Sequence, residues 1–426
     1  MSKKYLIIGK GRTGLALAEY YTKHNVFFTL YDDKTDNLED ALSHILDYCC
    51  VIISPAVKPS HPLVKRAQEL HLPVVSEVEF AYKELKRLNP SAKIIGVTGT
   101  NGKTTIVGML CTLIGNGAIV CGNVGVPFIS VVESGAKVYV VELSSYQLNF
   151  VCEFKPDIAV FSNIKPDHLA YHGTFANYIN AKLNLVKKLK SDDVFITSGD
   201  DELLGKLTFG KTILCSTANQ RADACIIQNQ IVLSNGEKYS LEKFKLIGEH
   251  NKLNLMMSIV GARLVGVSAT KIQERIENVM LEDYRIQNIG NFDGISVIND
   301  SKSTNVASTI ACLNCFSDNI ILLLGGLDKG EDLSLLFENI YLHKIKHYIF
   351  YGASKDKFYQ EALKAQISNF TVSLGDFKEA VREAVYLAGK GDTIILSPAC
   401  ASFDMFLNYE DRGAKFNKII FDSFIK

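Results

Sequence analysis

Residues 93–114 read KIIGVTGTNGKTTIVGMLCTLI, an apolar strand, a glycine-bearing loop and an apolar helical stretch in immediate succession. No other segment limits the fold so sharply, because a strand that turns straight into a helix belongs to a parallel α/β layer with the loop at the sheet's carboxyl edge. The loop has the chemistry of a triphosphate grip. Gly99 and Gly102 let backbone amides wrap phosphate, Lys103 can neutralise the β and γ oxygens, and the Thr104 hydroxyl can ligate magnesium; Thr100, Asn101 and Thr105 complete the turn. Val97 occupies the position of the first glycine in GxxxxGK[ST], so the match to that pattern is incomplete. ATP is the expected ligand, and the grip by itself is indifferent to what the phosphate is used for.

The same rhythm extends in both directions. YLIIG, LALAEYYTKHN and VFFTLYDD form a βαβ unit, CCVIISPAV and PVVS add two buried strands, and Leu63 to Leu70 is an amphipathic run between them. AYKELKRLNPSAK, with its Asn89-Pro90 turn, reads as a polar separator. KVYVVEL and DIAVFSNI continue the second unit, with helices expected over Thr174–Lys190 and Asn251–Val265. After LEDYRIQNIG the strands GISVIND, NIILLLGG, HYIFYG and DTIILSPA start a third unit. The expected architecture is α/β with three domains on mainly parallel sheets: residues 1–90 Rossmann-like, 91–281 P-loop ATPase-like, and 282–426 Rossmann-like.

Lys plus Arg and Asp plus Glu number 46 each, so no basic field exists to hold a nucleic acid, and small molecules are the expected partners. The opening MSKKYLIIGKGRTG turns into a glycine loop too soon to supply an export signal or a membrane span, which points to the cytoplasm. The ten cysteines are scattered, and the single CxxC of Cys312 and Cys315 has no second pair, so reduced structural thiols are expected.

Three further positions bear on the loop. Glu142 closes KVYVV, so its carboxylate should emerge at the sheet's carboxyl edge and could hold magnesium or simply face solvent. His168 follows DIAVFSNI in the turn KPDHL, where it is either structural or part of the site. Phe175, Ile179, Lys182, Val186 and Leu189 share one helical stripe, whereas Lys187 and Lys188 point away. A snorkelling stem is the bland reading of Lys182. The alternative is a buried amine, which burial drives toward its neutral form and which can then capture carbon dioxide as a carbamate, an oxygen ligand suited to magnesium. Gly9, Gly11 and Gly14 form GxGxxG, which fits a dinucleotide, another diphosphate such as a nucleotide sugar, or a tight turn with no ligand.

TGTNGKTT, ELSSYQL, the strand-end His168, GEHNKLN, NDSKSTN, LGGLDKG and SPACASFD occur in this order along nearly the whole chain. Together they resemble the Mur ligases of bacterial cell-wall synthesis, and most of all their D-glutamate-adding branch. The resemblance implies an ATP-dependent ligase that joins D-glutamate to UDP-N-acetylmuramoyl-L-alanine through an acyl phosphate, acts as a monomer, and uses two magnesium ions and a carbamylated Lys182. By motif position, Lys103, Thr104 and Glu142 would handle triphosphate and one magnesium, while His168 and Lys182 would hold the second. Arg12, Thr13, Asp32, Asp33 and Lys34 would bind the uridine nucleotide, with Asn123 and His168 toward the muramoyl group. Asn251, Asn254, Arg285 and Asp300 would join the loop around ATP, and Lys302, Thr304, Lys329, Ser402, Phe403 and Tyr409 would surround D-glutamate. The chain departs from the family's commoner patterns at Ala56, Tyr146 and Ala170, and at Asp283-Tyr284, which replaces Pro-His before Arg285.

Other readings remain at this level. Another Mur ligase, or a folylpolyglutamate synthase-type ligase, would share the ATP loop. A nicotinamide oxidoreductase would explain GxGxxG but not TGTNGKTT, and a nucleotide-driven switch would bind ATP without turning it over.

Overall fold

The computed structural model describes residues 4–279, 283–340 and 345–424. The first four apolar runs become β1 (Lys4–Ile8), β2 (Phe27–Tyr31), β3 (Cys50–Ile53) and β4 (Val74–Ser76). They pair in parallel in the order β2-β1-β3-β4. The helix after β1 spans Arg12–Lys23, so it starts inside the glycine motif. Gly14 lies in its first turn, where a Cβ would collide with the Gly9 carbonyl oxygen. The third glycine is thus required by close helix-on-strand packing.

The expected separator is for the most part helix, Glu77–Leu88. Its Val78, Ala81 and Leu85 recur at helical spacing and are wholly buried. Two acidic side chains on its buried side bind backbone: Glu79 accepts the amides of Cys152, Glu153 and Phe154, each at 2.9 Å, and Glu77 accepts the Ile129 amide at 2.6 Å. This helix joins the first sheet to the second through one shared core that includes Ile7, Tyr21 and Ile52 on one side and Phe128, Tyr139 and Phe154 on the other.

The second sheet comprises β5 (Lys93–Thr98), β6 (Ala118–Gly122), β7 (Val138–Glu142), β8 (Ile158–Phe161), β9 (Val194–Ser198), β10 (Lys211–Ser216), β11 (Ala224–Ile227), β12 (Gln230–Leu233) and β13 (Lys238–Ser240). Their order is β13-β12-β11-β10-β9-β8-β5-β7-β6, parallel except for the antiparallel β11-β12-β13 end. From β5 the chain passes to β6 on one side, and β8 lies on the other, so β5 stands at the point where the strand order reverses, the usual place for a ligand in an open α/β sheet. Beyond β8 the sheet holds strands that the apolar runs did not announce.

The third sheet comprises β14 (Gln287–Phe292), β15 (Ile295–Asn299), β16 (Ile320–Gly325), β17 (Ile345–Tyr351), β18 (Phe370–Val372) and β19 (Thr393–Ala399), in the order β14-β15-β19-β16-β17-β18. Only the β14–β15 pair is antiparallel. Alternate residues of β16 face opposite ways, so Leu322 and Leu324 pack with Phe337 and Phe358, and Ile321 and Leu323 with Phe377 and Phe416.

Two compact units result. One holds the first two sheets, and the other holds the third together with the short segments Asp167–Ala170 and Leu246–Asn251. The boundary expected after residue 281 lies outside the described residues. All ten cysteines are free thiols, Cys312 and Cys315 among them. Among the described residues no helix is long and apolar enough to cross a membrane.

Candidate active site

The triphosphate loop leaves β5 at Thr98 and ends where the Lys103–Ile114 helix begins. Gly102 is left-handed, with φ +82°, and a Cβ there would lie 2.8 Å from Asn254 Oδ1. Asn254, buried on the helix Glu249–Leu264, therefore packs directly against the loop. The loop is pinned from β8's end: the Thr100 amide donates to Asn163 O at 3.0 Å and the Asn101 amide to Asn163 Oδ1 at 2.9 Å. Thr100 Oγ1 lies 3.0 Å from Tyr178 Oη. Lys103 folds over this loop, its Nζ donating to the Gly99 and Thr100 carbonyls at 2.8 Å. Thr104 is half-buried and Thr105 buried. The loop thus runs into a helix N-terminus, the end at which backbone amides and the helix dipole favour phosphate oxygens.

Glu142 ends β7 in register with Val97 of β5 and Gly122 of β6, which sets it at the level where the loop begins. It is 2% exposed. Its Oε1 accepts from Asn123 Nδ2 at 2.8 Å, while Oε2 is buried with no partner among the described residues. A buried carboxylate oxygen without a partner is costly, and a cation would satisfy it.

Lys182 is carried by the helix Phe175–Leu183, whose first turn is capped by Thr174 Oγ1 accepting the Asn177 amide. The helix stops at Leu183 instead of Lys190. Lys182 is 1% exposed, with Nζ donating to the Gly99 carbonyl at 2.7 Å and to Thr98 Oγ1 at 3.3 Å, and it lies 5.0 Å from the Tyr178 ring centre. Snorkelling is therefore ruled out, since the amine is buried beneath the phosphate loop. Lys187 points outward to Asn184 Oδ1.

His168 has φ +55° and follows Asp167, whose Oδ1 accepts the His168 amide at 2.7 Å and lies 3.5 Å from its ring Nδ1. Sequence reasoning passed over His172, four residues on, whose Nε2 lies 2.9 Å from Ser145 Oγ and whose ring stacks on Tyr146. The clustering HLAYH was the available signal.

Beside β1 and β2 lies a cleft of about 550 Å³, lined by Gly9, Gly11, Asp32, Asp33 and Lys34 together with Ser54 and His61. Asp32, just past β2, accepts the amides of Lys10 at 2.9 Å and Lys34 at 3.1 Å, which hold its carboxyl below the usual range. Asp33 is lowered by its bond to His61 Nε2 at 3.0 Å; His61 was not foreseen. Thr13 lines a smaller neighbouring pocket with Ser54, Ser76 and Glu77, and Arg12 is exposed and lines neither.

In the other unit Asp300 is fully buried, accepts the Ile286 amide at 3.1 Å and Ser397 Oγ at 2.7 Å, and is raised by burial. Asn251 Oδ1 and Arg285 Nε are buried polar atoms without partners among the described residues. Tyr284, in the unusual Asp283-Tyr284 pair, has φ +65° and its carbonyl accepts the Lys302 amide at 3.0 Å. Lys302 Nζ lies 5.4 Å from the Tyr409 ring centre. Ser402 is buried, Thr304 half-buried, and Lys329 and Phe403 exposed.

Among the described residues no three His, Cys, Asp or Glu side chains group as a metal cage. Magnesium needs none, since it is ordinarily held by one or two protein oxygens plus phosphate and water.

Comparison with known proteins identifies a family for the chain. The Mur ligase middle domain matches residues 97–262, and the Mur ligase glutamate ligase domain matches residues 284–400. A UDP-N-acetylmuramoylalanine--D-glutamate ligase from Streptococcus agalactiae is 35% identical over 97% of this chain and 96% of its own length. One from Caldicellulosiruptor bescii is 32% identical, over 98% and 97%. Among solved structures, the UDP-N-acetylmuramate-alanine ligase MurC of Thermotoga maritima has a TM-score of 0.62 at 17% identity, covering 99% of both chains. MurF of Acinetobacter baumannii gives 0.64 at 15%, covering 94% of this chain and 90% of its own. These two share the fold.

Proposed function

The chain belongs to the Mur ligases, and from that premise we propose that it joins D-glutamate to UDP-N-acetylmuramoyl-L-alanine, converting ATP to ADP and phosphate. The observation that carries this reading is the meeting of the phosphate loop, Glu142 and the buried Lys182 amine at one sheet edge. The acceptor follows from the near full-length likeness to D-glutamate ligases.

A carboxylate cannot expel oxide, so it must first be activated. The alanine carboxylate attacks the γ-phosphorus in line, ADP leaves, and an acyl phosphate forms. The D-glutamate amine, having lost its ammonium proton, then attacks the acyl carbon, and phosphate departs with the bridging oxygen. The protein's part is mainly to position and neutralise. Lys103 and the amides of the loop and helix offset the charge on the transferring group, and Asn254 fixes the loop's shape.

Magnesium, when bound, neutralises phosphate oxygens. Thr104 and Glu142 would hold one ion, and the orphaned Glu142 Oε2 fits that role; His168 and Lys182, as its carbamate, would hold the second. The carbamate forms when neutral Lys182 Nζ adds to carbon dioxide, making an N–C bond and releasing one proton. Asp32, Asp33 and Lys34 line the cleft assigned to the uridine nucleotide, with Arg12 and Thr13 at the adjoining turn and Asn123 toward the muramoyl group. Asn251, Arg285 and Asp300 complete the adenosine and phosphate contacts. Lys302, Thr304, Lys329, Ser402, Phe403 and Tyr409 receive D-glutamate. These roles divide the chain at residues 90 and 281 into nucleotide-sugar, ATP and amino-acid domains, acting in a cytoplasmic monomer.

Phosphate release with UDP-N-acetylmuramoyl-L-alanine tests the reading. ADP should form with D-glutamate and not with L-glutamate, L-lysine or a folate acceptor. Turnover with L-lysine would move the chain to another Mur activity, and turnover with a folate would overturn the assignment.

A further inference from the structure

Arg412 is the largest fully buried side chain in the molecule's described residues, and among them it forms no ion pair. A guanidinium offers five donors in a rigid fork, and burying its charge without a carboxylate is costly unless those donors are taken up. Here they go to backbone and hydroxyl oxygens of three separate loops. Nε donates to Ser301 Oγ at 3.0 Å and Nη2 to the Ser301 carbonyl at 2.8 Å. Nη1 donates to the Cys400 carbonyl at 3.1 Å, with the Gly325 carbonyl at 3.5 Å. Ser301 Oγ passes its own proton to the Tyr409 carbonyl at 2.8 Å.

Each loop tied in this way bears a residue expected at the amino acid. Lys302 and Thr304 follow Ser301, Lys329 follows Gly325 by four positions, and Ser402 and Phe403 follow Cys400. Leu327 and Ala401 also bridge directly, and a Cβ on Gly326 would meet Ala401 O and Arg412 Nη1. The carbonyls solvate the cation but carry no formal charge, so the positive charge is not paired with a carboxylate among the described residues beneath loops that would receive two carboxylates.

We propose that Arg412 is a positioning residue for the incoming amino acid: its guanidinium fixes the spacing of the three loops and biases them electrostatically toward a dicarboxylate. This rests on the reading that these loops receive D-glutamate. Lysine at this position would keep the charge but bring only one nitrogen, so it could not span Ser301 and Cys400 together.

The test uses the full-length enzyme with Arg412→Lys and Ser301→Ala, reading kcat and the KM for D-glutamate and for ATP. The expected result is a rise of at least tenfold in the D-glutamate KM of Arg412→Lys, a smaller rise in Ser301→Ala, and an ATP KM within twofold of wild type in both. A D-glutamate KM within twofold of wild type, or equal rises in both KM values, would overturn the proposal. If Arg412→Lys does not fold, Ser301→Ala alone decides. If the wild-type enzyme turns over only with a different amino acid, the D-glutamate reading falls, and the role of Arg412 is decided on that amino acid's KM.

Discussion

Lys182 shares its stripe with Phe175, Ile179 and Val186, and a lysine amid such neighbours either reaches out or stays in. It stays in, its amine donating to the Gly99 carbonyl. Replacing it with alanine should cost at least about a hundredfold in ligation rate if a carbamate supplies a metal ligand, with partial recovery when short carboxylic acids are added. Full activity in Lys182→Ala would sink the carbamate. The stripe made this residue legible in the sequence. The pairs Asn123–Glu142 and His61–Asp33 were not, because a hydrogen bond between side chains distant in sequence leaves no periodic trace.

Glu77 makes a second case at this scale. Burial pushes its carboxyl up to about 7 from 4.5, against the lowering effect of the Ile129 amide. The native state therefore holds that proton more tightly than the unfolded chain does. Stability contributed by the protonated form is complete below pH 4.5 and is lost as pH rises toward 7, by up to about 1.4 kcal/mol per pH unit. Glu77→Gln removes that dependence. Melting temperatures of wild type and variant should lie close together at pH 5 and separate by pH 8 with the variant higher; a constant difference across that range would contradict the assignment.

At the scale of elements, the helix carrying Lys182 shows why periodicity overruns. Residues after Leu183 continue in turns, with Leu185 N donating to Lys182 O and Val186 N to Leu183 O, so Val186 remains on the buried side although the helix has ended. The start of that helix depends on its cap. Thr174→Ala should lower stability by about 1 kcal/mol in denaturant titration, with Thr174→Ser near wild type. Equal losses in both would place the effect in packing instead of the hydroxyl. AYKELKRLNPSAK reads as a separator because the part of the Glu77–Leu88 helix it contains has a solvent face rich in lysine, arginine and glutamate, which hides the buried spacing of Val78, Ala81 and Leu85. Among the late strands, β11 to β13 have only three or four residues each and β10 opens on the exposed Lys211 with Thr212, Ile213 and Leu214 only partly buried, so none carries the unbroken apolar run that marks β5, β16 and β19.

For the molecule as a whole, strand-to-helix succession is enough to give three α/β sheets, and TGTNGKTT, ELSSYQL, NDSKSTN, LGGLDKG and SPACASFD fall at the carboxyl ends of β5, β7, β15, β16 and β19, as that topology dictates, whereas GEHNKLN lies on the helix Glu249–Leu264. What the phosphate is used for is a property of the whole chain, since the grip around Lys103 would serve a switch or a kinase equally well. The central claim is that it activates a carboxylate. UDP-N-acetylmuramoyl-L-alanine carrying ¹⁸O in its alanine carboxylate tests this directly by mass analysis of the phosphate released with D-glutamate and unlabelled ATP. One ¹⁸O per phosphate is the expected result, because the bridging oxygen of an acyl phosphate leaves with phosphorus; ligation that releases unlabelled phosphate would contradict the account.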